Sequence, residues 1–471
     1  MSIQKKPLTA FKLAMMAVIA IDSLKNLPAN AQYGESLLIY YIIAIIAFFI
    51  PSAVVAAELA TAWPATGGIY IWIKEAFGKR TAFLVACILS GSMIVWYPTI
   101  LSFIAVTLAY LINSHLAQNK IYILAIILLT YWLATLLNCM GLKISSLIST
   151  LSAIMGAILP MLMIIFLGAF WLCSGHSSQI HFSLHNFPLQ TPNLHNLQLF
   201  IILLFSLAGI DMIAIHAGDT QHPQRDYVKA LIFTVLIIII TVTPASLAIS
   251  IVIPLKQIDI TTGVIEGFII FLNALHVSFL IPFIIMSVIL GSFGVFFTWL
   301  LATARCLLVA AQDGCLPKLL QKTNAREMPV NLMLIQGIIF TILCTAFILM
   351  PSVSSAFWLL TAASSQLGLI YYLFLFAAAL RLRYTQPHVI RPFKVGKKNA
   401  ILLWILCILG ITVCLIAIGC GFIPPSEINS HHIVRYEVFL IILMLGSSGI
   451  ALLLYEMTQL KSKFTHSLCK T

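Results

Sequence analysis

The run Ile21-Asp22-Ser23-Leu24-Lys25-Asn26-Leu27-Pro28 puts an acid, a base, an amide and a helix-breaking proline inside the first apolar stretch of the chain. A second polar interruption, Ser206-Leu207-Ala208-Gly209-Ile210-Asp211, falls inside a later one. A charge at mid-bilayer depth costs roughly 2.5 to 3.5 kcal/mol on the insertion scale, so charges kept there face a protein interior and mark a substrate or ion path. Pro28 has no N–H to give the preceding turn and disfavours helical geometry at Leu27, which releases backbone groups around residues 23 to 27. A helix restarting near Pro28 presents unpaired N–H groups and a partial positive charge, a receptor for carboxylate. Gly209 loosens the second interruption in the same way and leaves carbonyls near Ser206 to Ala208 to face an ammonium group. Together the two breaks describe an α-amino acid. Two structural readings stand beside this one. Asp22 and Lys25 share a face of an unbroken helix and form a candidate internal ion pair, and Asp211 is placed to cap the inner half of its span.

The elements that must carry these residues are membrane helices. With 61% hydrophobic and 8% charged residues among 471 and a mean hydropathy of +1.06, the chain has too little polar surface to coat a water-soluble globule. Twelve runs are long and apolar enough to span a bilayer, near residues 9 to 32, 36 to 60, 81 to 113, 120 to 138, 141 to 173, 197 to 216, 227 to 253, 274 to 304, 329 to 350, 354 to 380, 400 to 421 and 434 to 457. The predicted fold is therefore an all-α polytopic membrane protein, one domain over residues 1–471. Matching interruptions in the first and sixth runs point to two inverted five-helix repeats, about 9–173 and 197–380, with extra helices at about 400–457.

The net charge of +12 does not imply nucleic acid, because the basic residues are sorted by side. On an even span count with the N-terminus inside, 22 of the 26 Lys and Arg fall on the inner side and Lys120, Lys256 and Arg435 on the outer, with Lys25 in the membrane. That asymmetry places both termini in the cytoplasm. The ten cysteines have no Cys-x-x-Cys or zinc spacing, so no metal site and no cofactor are expected. His115, His176, His181, His185, His195, His276, His431 and His432 map to the outer side, either as polar loop residues or as a sensor of external acid. The Lys-rich start, the apolar core Leu13 to Ile21 and Ala29-Asn30-Ala31 imitate a secretory signal, but Asp22 and Lys25 sit awkwardly between core and cleavage site, and the segment reads as the first span. An intramembrane hydrolase pairing Asp22 with Asp211 lacks any Gly-x-Gly-Asp, His-Glu-x-x-His or Gly-x-Ser-x-Gly motif, so no enzyme is expected.

Three stretches carry a family resemblance. They are Ala57-Glu58-Leu59-Ala60-Thr61-Ala62-Trp63-Pro64-Ala65-Thr66-Gly67-Gly68-Ile69-Tyr70-Ile71-Trp72 followed by Ala76-Phe77-Gly78, then Ser206 to His216 with Pro223-Gln224-Arg225-Asp226-Tyr227, and Ala304 to Pro317 running on to Pro329. In order and spacing the chain resembles the amino acid, polyamine and organocation transporter superfamily, and most closely its bacterial glutamate/GABA antiporter branch. The resemblance implies alternating access, a bacterial inner-membrane location and a site between spans one, three, six, eight and ten. It carries ligand contact onto Ser23, Lys25 and Asn26 in the first break and Ala208, Gly209 and Asp211 in the sixth span. Glu58, Gly67, Gly68, Arg225, Asp226, Arg305 and Asp313 read as a cytoplasmic gate, the glycines allowing a tight turn and the charges forming ion pairs as the gate moves, or as loop motifs that merely anchor the loops at the lipid surface.

Departures from the family pattern matter as well. The usual glycines of the first break are replaced by Ser23-Leu24-Lys25-Asn26, and the lysine many sodium-independent relatives carry in the fifth span is replaced by Ser145 to Ser152. Proton coupling, sodium coupling and pure exchange therefore all stay open, with Asp22 and Lys25 as candidate coupling groups and Thr150 among hydroxyls suited to sodium. The long tail that plugs one acid-resistance antiporter has no counterpart after Glu456. The expected partner is a small amino acid. The alternatives are a neutral or cationic amino acid or polyamine permease, coupled to protons or sodium, and, in a different class, a non-transporting receptor or scaffold.

Overall fold

The computed structural model describes residues 8–180, 194–216, 222–349, 353–396, 399–423 and 433–468. Among them the regular elements are all helical. In chain order they are α1 (Ala10–Ile21), α2 (Leu27–Ala31), α3 (Gly34–Ala62), α4 (Ile69–Phe77), α5 (Lys79–Ile112), α6 (Lys120–Asn138), α7 (Leu142–Cys173) and α8 (Leu194–Ser206). They continue as α9 (Met212–Ile215), α10 (Pro223–Val252), α11 (Gly263–Ala274), α12 (Ile281–Ala310), α13 (Val330–Leu349), α14 (Val353–Thr385), α15 (Ile401–Cys420) and α16 (Ile433–Leu468).

Among the described residues, nine helices are long and apolar enough to cross a membrane. The first and sixth apolar runs are not among the nine, because each is interrupted by non-helical backbone. The run at 329 to 350 is α13, whose described apolar part is Val330–Thr345. One apolar helix, α11, lies outside all twelve runs, being too short to span.

Burial follows position in the bundle. Leu13 to Ile21 are all buried, so α1 is apolar all round because protein surrounds it, with α7, α10 and α12 as its main neighbours. Helix α5 is held between α12 and α14. Peripheral helices instead keep apolar side chains outward: Leu129 and Leu136 on α6, Phe166 on α7, Phe283 on α12 and Leu445 on α16 are all about two-thirds exposed, a surface that only lipid covers favourably. Where α7 meets α12 the backbones touch, since a Cβ on Gly156 would strike the main chain of Gly291, and the reverse also holds. A π-helical turn at Ser152–Ile158 sits at this crossing, and the Ser287 hydroxyl donates to the Met155 carbonyl there.

The first break lies earlier than proline chemistry predicts. Leu27 is helical, with φ −58° and ψ −43°, so the expectation that Pro28 holds it outside helical geometry is corrected. Pro28 stands in the first turn of α2, where an N–H would have no acceptor and a proline fits. The chain leaves α1 at Asp22 and extends at Ser23, with φ −102° and ψ 117°, before a 3₁₀ turn at Leu24–Asn26.

Candidate functional site

Two interruptions meet around one indole. The Trp299 Nε1 of α12 donates to the Ala20 carbonyl at 3.0 Å, where α1 is about to end. The same ring closes on the second interruption, since a Cβ on Gly209 would stand 2.9 Å from Trp299 and 3.3 Å from Ile21. Gly209 has φ +118°, a backbone that only glycine adopts without strain, so both space and conformation fix the residue. Between the breaks lies a cleft with about 420 Å³ of empty space, counting its open side. Ser23, Asn26, Ser206 and Ala208 line it from the breaks, Met93 and Trp96 from α5, Trp299 from α12 and Tyr371 from α14.

The buried charges near this cleft are treated very differently. Asp211, at the start of α9, accepts from the Tyr371 hydroxyl at 2.7 Å and the Tyr372 hydroxyl at 2.5 Å. Tyr372 in turn accepts from the Gly209 N–H at 2.6 Å, tying both ends of the break to α14. Asp211 occupies the N-cap position of α9, where the capping reading puts it, but its side chain makes no bond back to that helix. Asp22 turns to α10, where Thr241 Oγ1 lies at 3.1 and 3.3 Å from its two oxygens. Among the described residues Lys25 has no such partner. Its Nζ is buried without a hydrogen bond, 4.7 Å from the Phe357 ring centroid and 5.4 Å from that of Trp96. The internal Asp22–Lys25 ion pair is therefore not formed, because the break sends the two side chains to different neighbours. Thr150 stands apart from the cleft, its hydroxyl donating to the Ser146 carbonyl one turn earlier.

The residues assigned to the cytoplasmic gate separate into four groups. Glu58, at the end of α3, is buried against Arg383 at 2.5 Å and Arg391 at 3.3 Å, and accepts from the Val395 N–H at 2.8 Å. Asp313 pairs with Lys74 at 2.5 Å and accepts from the Tyr70 hydroxyl at 2.9 Å. Arg305 Nη1 lies 3.0 Å from His216 Nδ1. Gly68 has φ +48° and a Cβ there would stand 2.9 Å from the Ile215 nitrogen, while the Gly67 N–H points at the Ile215 carbonyl at 3.4 Å, so this turn rests on the end of α9. Arg225 and Asp226 are less engaged: Arg225 is exposed, and Asp226 accepts from the His222 N–H at 3.3 Å. Of the outer histidines, His176 stacks on Trp171, while His181, His185, His431 and His432 lie outside the described residues.

Residues 8–446 match the family model described as amino acid permease. The chain belongs to the amino acid permease family. A member of this family is a membrane transporter for small amino acid or amine substrates, not an enzyme. The chain is 43% identical to an uncharacterized transporter of Legionella pneumophila, over 94% of this chain and 95% of that protein. It is 26% identical to a glutamate/gamma-aminobutyrate antiporter of Lactococcus lactis, over 96% of this chain and 91% of that one. A probable agmatine/putrescine antiporter of Lactococcus lactis is 25% identical over 83% of this chain and 82% of its own length.

The permease site also contains residues that sequence reasoning left out: Trp96, Phe357, Tyr371, Tyr372 and Trp299 around the breaks, with Lys74 beside Asp313 and Arg383 and Arg391 beside Glu58. The pair Tyr371-Tyr372 inside an apolar run was the one visible signal among them, since buried phenols need hydrogen-bond partners.

Proposed function

We propose that this permease is a secondary active amino acid antiporter of glutamate/GABA type, working by alternating access in the bacterial inner membrane with both termini in the cytoplasm. Twelve spans in two inverted five-helix repeats plus two helices carry it, with the first and sixth spans broken around the substrate. The substrate contacts are Ser23, Lys25, Asn26, Ala208 and Gly209, with Asp211 holding the second break in shape. One observation carries the reading: Lys25 is a buried amine without a hydrogen-bond partner, beside a ring that lines the cleft. A substrate carboxylate supplies what that amine lacks.

The amine-exchanging relative raises polyamines as a second substrate class. The acids argue against it, because Tyr371 and Tyr372 occupy Asp211 and Thr241 occupies Asp22, while the group left over near the cleft is a base. Counterflow in proteoliposomes loaded in turn with glutamate, GABA, neutral amino acids and putrescine tests the assignment. Exchange of amino acids is expected, and failure to exchange any of them refutes it. Repeating the panel with and without sodium, and at acidic and neutral external pH, assigns the coupling ion among proton, sodium or none.

A further inference from the structure

We propose that Lys25 also acts as a lock on the empty carrier, making the protein exchange substrates rather than leak them; this rests on the reading above that the substrate brings a carboxylate to the cleft. Three elements build the slot for the amine: the break between α1 and α2 gives Lys25, the middle of α5 gives Trp96, and the first turn of α14 gives Phe357. Ring faces attract a cation, yet they do not replace the hydrogen bonds it loses on leaving water. The acids of the two breaks face other groups, Asp22 the Thr241 hydroxyl and Asp211 two tyrosines, and among the described residues no carboxylate lies in ion-pair reach of Lys25.

The described conformation is the shut one, with Lys25 2% exposed between the three elements, whereas a conformation open to either face lets water reach the amine. An empty carrier must either carry an uncompensated buried charge through the shut state or first give up the amine's proton, whereas a loaded carrier carries an ion pair. Trp96 belongs to both the slot and the cleft lining, and Asn26 beside Lys25 lines the cleft as well, so one ring separates the amine from a carboxylate in the cleft and a small shift of that ring lets the two pair. Reorientation is therefore fast when loaded and slow when empty, and obligatory exchange follows from the site rather than from a separate gate.

The test measures efflux from proteoliposomes loaded with a labelled amino acid that exchanges, with and without the same amino acid outside. In the wild-type protein, outside substrate is expected to speed efflux by about tenfold or more. In Lys25→Met that ratio is expected to fall below about threefold because unaccompanied efflux rises, while Lys25→Arg keeps the wild-type ratio. An unchanged ratio in Lys25→Met overturns the lock. A second readout needs no substrate: Ser206→Cys, placed in the cleft of a protein cleared of reactive cysteines, is probed with an impermeant thiol reagent from each face of empty vesicles. One-faced labelling with Lys25 present and two-faced labelling in Lys25→Met supports the lock, and one-faced labelling in both overturns it, even where Lys25→Met moves no substrate. A wild-type protein that exchanges no amino acid refutes the transport reading instead, and the labelling experiment then decides the lock by itself.

Discussion

Glu58→Gln is expected to destabilise the protein by about 3 to 5 kcal/mol, the range for removing one partner of a buried ion pair. Glu58 and Arg383 are 3% and 7% exposed, so water does not stand in for the lost charge. The carboxylate takes three bonds: Arg383 Nη2 at 2.5 Å, the Val395 N–H at 2.8 Å and Arg391 Nε at 3.3 Å. Without it the two guanidiniums differ in what they retain. Arg391 keeps the carbonyls of Leu382, Gln386 and Val389, whereas Arg383, among the described residues, keeps that of Val395 alone. Most of the coupling should therefore sit in the Glu58–Arg383 pair. A double-mutant cycle of Glu58→Gln with Arg383→Met, read by chemical or thermal unfolding in one detergent, is expected to give an interaction energy of about 2 kcal/mol or more. The matching cycle with Arg391→Met is expected to stay below about 1 kcal/mol. Additivity within about 0.5 kcal/mol at Glu58 and Arg383 would mean that the two side chains do not meet in the protein, and the argument from burial would fail.

Gly209→Ala is expected to lower both stability and transport, since φ +118° alone costs about 1 to 3 kcal/mol for a residue with a Cβ and that Cβ would press on Trp299 at 2.9 Å. Gly446→Ala on α16, where the new atom meets nothing within 4 Å, is the control and should unfold like the wild-type protein or later. Tyr372→Phe is expected to cost about 1 to 3 kcal/mol and more than Tyr371→Phe, because Tyr372 serves both Asp211 and the Gly209 N–H; equal losses in the two unfolding curves would refute the bridging role. Thr150→Val removes a hydroxyl that bonds only within its own helix turn, so uptake and its ion dependence should match the wild-type protein.

Length and hydropathy made the long helices legible, because a run that must cover the hydrocarbon core has to declare itself in sequence. The two interruptions declared themselves for the same reason, since Asp22, Lys25, Gly209 and Asp211 stand out against an apolar background. The position of the first break was less legible: the local rule against helix before proline lost to the fit of proline in a first helical turn, and the break moved to Asp22 and Ser23. Side-chain partners were not legible at all. Arg383 reaches Glu58 across 325 residues, Thr241 reaches Asp22 across 219, and Phe357 covers Lys25 from a helix whose own sequence gives no hint of a cation nearby. Such contacts depend on which faces of distant helices pack together, and apolar faces in a membrane bundle look alike in sequence.

The contrast between satisfied acids and an unsatisfied base separates scaffold from site at these breaks. Asp211 is bonded by two hydroxyls from α14, which holds the second break in place whether or not substrate is present, while Asp22 shares the one Thr241 hydroxyl of α10 with the Ile237 carbonyl. Lys25 stabilises nothing in the empty protein, because burying an amine without a bonded partner costs free energy. Lys25→Met keeps a flexible unbranched side chain, one heavy atom shorter, against Trp96 and Phe357 while removing that cost, so it should raise the stability of the substrate-free protein by about 1 to 3 kcal/mol even as it impairs transport. Thermal unfolding of the two purified proteins without substrate decides the matter. A less stable Lys25→Met protein would show that the amine is already well bonded at rest, and the reason for assigning it to a substrate carboxylate would disappear.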